Sequence, residues 1–174
     1  MIRPWLRQLD ARARSLLPFA SAVAAVLLDL LPLPAAGQGV VSSFVTLCVV
    51  YFWSLYRPDL FTPSAAFVTG LIYDGLTGLP LGVTSLMLLL VRSLMVTQQR
   101  FFIARAFPVI WACFLVLAPI ALLARWLVVS LWWGHLFALP PLAMELALTV
   151  MLYPLASWVL GRIHNRIPRL IYAP

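Results

Sequence analysis

Five ionisable residues lie inside or at the ends of long apolar runs: Asp29, Asp74, Arg92, Arg125 and Glu145. A charge near the centre of a bilayer costs roughly 2.5–3.5 kcal/mol on insertion scales, so each implies a partner or a task. Counted at ~1.5 Å per residue along spans of alternating direction, Asp29, Asp74 and Glu145 fall in one half of the layer. Arg125 stands near that same end of its run, and Arg92 near mid-depth. Opposite charges at compatible depths predict internal pairing, and Arg92 with Asp74 is the first candidate because the two flank one hairpin. Two readings of the group follow. It is a structural clasp between helices, or a polar pocket that binds a solute or carries protons. Asp29 has a plainer reading, since four residues more of its run bring it to the interface.

Other chemistry finds little support. His135 and His164 fall on opposite sides of the layer and cannot share a metal. No Ser/His/Asp set, HExxH or phosphate loop is present. Cys48 and Cys113 both lie inside apolar runs and form no CxxC. No cofactor is implied.

The elements that must position these residues follow from composition. Of 174 residues, 64% are hydrophobic and 10% charged. A soluble domain is nearer a quarter charged, so the solvent for most of this surface must be lipid. A hydrocarbon core of about 30 Å takes ~20 helical residues to cross, which leaves room for six or seven crossings and no separate soluble domain. Continuous rather than alternating apolar runs favour helices over a β-barrel. The net charge is +7, and every basic residue is Arg, in short clusters between apolar runs. That is a pattern of topology signals and not a nucleic-acid-binding stripe.

Apolar spans are expected at Ser15–Leu33, Gly39–Tyr56, Leu60–Tyr73, Val83–Val96, Ala106–Val129 and Leu139–Gly161. The first resembles a signal-peptide core but is longer and carries Asp29, so it reads as a retained helix. The basic segment 1–14 either lies on an anionic membrane surface as a helix or serves as a tail of topology charges. The third and fourth spans are short and meet through Asp74–Gly82, where three glycines after Asp74 and Pro80 break helix continuity. With the N-terminus cytoplasmic, Arg3, Arg7, Arg12, Arg14, Arg57, Arg100, Arg105, Arg162, Arg166 and Arg169 all fall inside. The outer connections 32–38, 75–82 and 130–138 contain no Arg. Six spans with both termini inside satisfy the positive-inside rule, and five do not. Trp132 and Trp133 fit an interfacial aromatic belt. The expected organisation is one membrane domain: the basic segment, a bundle over 15–161 and a basic tail over 162–174.

The stretch from Tyr51 to Leu86 resembles the bacterial rod shape-determining MreD family. An aromatic helix end with a following Pro is carried by Tyr51, Trp53 and Pro58, although Phe52 separates residues that are often adjacent. The pattern F-x-x-G-L-x-x-D is carried by Phe67, Gly70, Leu71 and Asp74, and a glycine-rich turn by Gly78, Leu81 and Gly82. The resemblance implies a noncatalytic protein of the cytoplasmic (inner) membrane that supports lateral cell-wall synthesis in rod-shaped bacteria. It implies partners: the single-span protein MreC directly, then MreB filaments, RodA and a penicillin-binding transpeptidase. It also implies a fold similar to the substrate-binding subunit of energy-coupling-factor vitamin transporters. Homo-oligomerisation stays open. The alternatives are a solute-binding transporter subunit and a lipid-modifying enzyme.

Overall fold

Between Val45 and Tyr56 the chain is apolar on almost every side, and a helix of that kind must be enclosed. In the computed structural model, which describes residues 4–31, 33–35, 39–41, 44–102 and 107–165, this segment is the axis of a helical bundle. The order is α1 (Pro4–Asp29), β1 (Leu33–Ala35), β2 (Gly39–Val41), α2 (Val45–Tyr56), α3 (Pro63–Thr77), α4 (Val83–Phe102), α5 (Phe107–Trp133) and α6 (Leu139–Asn165). Helix α2 packs against α1, α4 and α6, while α3 lies on α4 and α1, and α5 on α4 and α6. Every residue of α2 from Thr46 to Leu55 is buried.

The outside of the bundle inverts the order of a soluble protein. Buried groups include Asp29, Asp74, Thr84 and Thr149, while Leu86, Leu90, Val116, Ile120, Leu131 and Met151 are exposed. Apolar surface on this scale is matched to hydrocarbon. Helix α5 and residues Leu139–His164 of α6 are long and apolar enough to cross a membrane, with mean hydropathy 2.4 and 1.5.

The helices depart from the expected spans in ways that have local causes. Helix α1 runs from Pro4 through the described part of the basic segment and stops at Asp29 instead of Leu33. The segment from Gly39 is a strand and not the start of a helix, and it forms a short antiparallel hairpin with pairs Leu33–Val41, Pro34–Val40 and Ala35–Gly39. A small piece of β-structure thus joins an otherwise helical chain. Helix α4 continues past Val96 to Phe102, and the Gln99 side chain on this extension donates from Nε2 to the Leu55 carbonyl at 3.0 Å. Helix α5 runs one turn beyond Val129 to Trp133. The orientation-setting residues Arg3, Arg105, Arg166 and Arg169, with residues 32 and 36–38 of the first connection, lie outside the described residues.

One end of the bundle carries Arg57, Arg100 and Arg162, and the opposite end carries the α3–α4 and α5–α6 turns. His164 sits at the arginine end against Phe52, Trp53 and Tyr56, and His135 at the turn end. The two histidines thus stand at opposite ends of the bundle.

Candidate functional site at the turn end of the bundle

The α3–α4 hairpin is built from small residues and one carboxylate. A Cβ placed on Gly70 would fall 2.3 Å from the Ser85 Cα and 2.5 Å from its nitrogen, so only glycine lets the two backbones approach this closely. Ser85 Oγ then reaches across and donates to the Phe67 carbonyl at 3.1 Å. One turn further along α3, the Asp74 carboxylate accepts from the Gly82 amide at 2.8 Å and the Thr84 amide at 3.2 Å. These amides open α4, where backbone donors have no partner inside the helix. Gly78 ends α3 in the left-handed region at φ 72°, its N–H donating to the Asp74 carbonyl, and Gly82 takes φ 100°. Asp74 is wholly buried.

The α1–α2 hairpin repeats the device. Asp29, at the last position of α1, accepts from the Val45 amide at 2.7 Å and the Thr46 amide at 2.9 Å. The Phe44 amide donates to Thr149 Oγ1 of α6 at 3.0 Å. The Phe44, Val45 and Thr46 amides at the entry to the central helix are thus satisfied by side chains from other elements. Asp29 is buried among the helices at the end of α1. Its carboxylate is needed where the next helix starts.

Arg125 of α5 and Glu145 of α6 form a salt bridge in which both side chains are largely buried. The guanidinium also donates to the Tyr73 hydroxyl at 3.3 Å and lies 4.5 Å above the Phe44 ring. Phe44 and Tyr73 meet edge to face at 5.2 Å. Thr149, one turn from Glu145, donates to the Glu145 carbonyl while accepting from Phe44. Tyr73, Arg125 and Glu145 line a cavity of about 600 Å³, with Trp126, Val129 and Leu142 among its other walls.

Arg92 belongs elsewhere. Its Nε donates to the Phe61 carbonyl at 2.8 Å and its Nη2 to the Pro58 carbonyl at 3.2 Å, in the α2–α3 connection at the arginine end. The expected pairing of Arg92 with Asp74 is not formed, because each has a nearer partner in backbone at its own end of the hairpin. Of the five ionisable residues, Asp29, Asp74, Arg125 and Glu145 share the turn end, and Arg92 does not. The remaining motif residues have local tasks: Trp53 is buried and donates from Nε1 to Ser21 Oγ at 2.8 Å, tying α2 to α1, and Pro58 supplies a carbonyl to Arg92. The Phe67 ring is partly exposed, and it is its carbonyl that enters the hairpin.

The family model for MreD, rod shape-determining protein, matches residues 12–161. The chain belongs to the MreD family. No curated protein and no solved structure gives a match of its own. Membership makes this a noncatalytic protein with a part in cell-shape determination, and the family is one of inner-membrane proteins. The glycines and aspartate that resemble the MreD pattern are the residues that close the α3–α4 hairpin here.

Sequence reasoning missed Tyr73, Phe44, Thr149, Ser21 and Gln99. Thr149 had a usable signal, since it stands four residues from Glu145 on one helical face. Tyr73 and Phe44 had none, because an aromatic residue in an apolar run looks the same whether it meets lipid or a guanidinium.

Proposed function

We propose that this MreD-family protein is a scaffold of the rod complex that binds MreC in the membrane and supports lateral peptidoglycan synthesis. The observation that carries the reading is how the buried polar side chains are used. Asp29, Asp74, Arg92 and Gln99 hold backbone ends, and Arg125 and Glu145 hold each other. Outside the turn-end cavity, what remains to meet a partner is a set of apolar faces on helices whose ends are fixed. Helices in lipid associate through close packing and hydrogen bonds rather than through hydrophobic expulsion, so rigid faces suit recognition of a single-span anchor.

In the proposed orientation both termini are cytoplasmic and the arginine end faces the cytoplasm, in keeping with Arg57, Arg100 and Arg162. The cavity and the α1–α2, α3–α4 and α5–α6 connections then lie on the periplasmic side. MreB, RodA and a penicillin-binding transpeptidase belong to the wider assembly in this reading.

Co-purification with MreC from detergent tests the contact. Recovery is expected with the native anchor and lost when that anchor is exchanged for an unrelated one. Unchanged recovery rules out helix packing as the mode of binding. Depletion in a rod-shaped host is expected to round the cells. A second reading, a solute-binding subunit similar to those of vitamin transporters, draws on the cavity beside Arg125 and Glu145. It predicts that a water-soluble ligand raises the melting temperature of the isolated protein, with normal rods after depletion.

A further inference from the structure

We infer that the cavity at the turn end is a lipid site, occupied by the acceptor-rich head region of a phospholipid whose chains run along the apolar walls. The inference uses the proposed orientation in the membrane but not the binding of MreC. Its polar wall has donors to spare. A guanidinium carries five N–H donors, of which Glu145 and the Tyr73 hydroxyl engage one each. Having accepted from Arg125, the Tyr73 hydroxyl keeps its own proton to donate. Trp126 lines the same cavity with its ring, its indole Nε1–H being buried away from the open space. The free donors of Arg125 and Tyr73 beside this space call for an acceptor.

Glu145 already balances the Arg125 charge, so the acceptor need not be strongly anionic. A phosphodiester or an ester carbonyl suffices, and both occur where a phospholipid head meets its chains. The other walls are apolar, with Val129 and Leu142 facing the space. Trp132 and Trp133, which end α5, are exposed as in an interfacial belt, which sets the cavity at headgroup depth. A volume of about 600 Å³ lies within the usual range for a small-ligand site. The same acceptor chemistry is available from a water-soluble phosphoester, and the experiment must separate the two sources.

Native mass spectrometry of the detergent-purified full chain reads out retained lipid, with total phosphorus as a second measure. The wild type is expected to carry an adduct of diacyl phospholipid mass. Val129→Trp fills the cavity and is expected to abolish the adduct, and Leu142→Trp does the same from the opposite wall should the first variant not fold. Tyr73→Phe keeps the ring but removes the hydroxyl donor, and retention is expected to fall roughly three- to tenfold. Leu123→Trp, on an exposed part of α5, leaves retention unchanged. After delipidation, dioleoylphosphatidylethanolamine or dioleoylphosphatidylglycerol is expected to raise the melting temperature of the wild type but not of Val129→Trp, while glycerol 3-phosphate does nothing. Protection by glycerol 3-phosphate alone, a wild type free of adduct, or full retention in a folded cavity-filling variant would each overturn the inference.

Discussion

Asp74 does for α4 what a capping side chain does for a soluble helix, but from a buried position. Removing it strips acceptors from the Gly82 and Thr84 amides, and an orphaned buried donor costs about 1–3 kcal/mol. Asp74→Ala is therefore expected to destabilise the detergent-solubilised protein by about 2 kcal/mol or more, read from thermal unfolding. Asp74→Asn, which keeps one carbonyl acceptor, should lose less. Equal stability of Asp74→Ala and wild type would remove the capping role. Gly70→Ala tests the neighbouring contact. Its Cβ meets the backbone of Ser85, so the helices must separate, at about 1–3 kcal/mol for typical overpacking. Because the obstacle is the Ser85 Cα and nitrogen, Ser85→Gly should not rescue it. Rescue would place the clash in the side chain instead.

At the scale of elements, two hairpins are closed alike by an acid near the end of one helix capping the start of the next, and the third by an ion pair. Glu145→Gln leaves the Arg125 charge buried without its counter-ion, and breaking such a pair costs about 3–5 kcal/mol. Replacing both residues with Met is expected to cost less than the single change, as a double-mutant cycle of melting curves will measure. Additive losses would show that the two do not act as a pair. This is also where the sequence was and was not legible. The turn after Asp74 could be read because glycine and proline mark broken helices, and the cost of a buried acid pointed to Asp74, Asp29 and Glu145. The Arg92 partner could not be read. Residue counting gives depth along a helix but not the direction a side chain faces, and an argument from charge sees carboxylates but not backbone carbonyls. Short helices leave such carbonyls unsatisfied, and that need took Arg92 away from Asp74. The strand at Gly39 was hidden for a similar reason, since an apolar run reads alike in either conformation when only three residues long.

For the whole molecule, the expectation of a six-helix bundle is met, while the direction in which it threads the membrane is a proposal with its own test. In a background with Cys48 and Cys113 replaced, His135→Cys is expected to react with an impermeant maleimide in intact cells. Arg100→Cys should react only after permeabilisation. The opposite pattern would invert the bundle. The inside-out distribution of polarity, with Leu86, Leu90 and Ile120 exposed and Asp29 and Asp74 hidden, also predicts aggregation on transfer to water without detergent.

The central helix carries a consequence for how the protein is made. At 12 residues, α2 is about 18 Å long, well short of the hydrocarbon thickness. Its first amides wait for Asp29, synthesised before it, and for Thr149, which leaves the ribosome about a hundred residues later. Its last turn waits for Gln99. Insertion cannot proceed span by span to a finished state. The nascent chain should keep α2 beside the translocon or a holding factor until the sixth helix arrives. A chain truncated before Leu139 is expected to be cleared rapidly in pulse–chase labelling, even though five of its helices are intact.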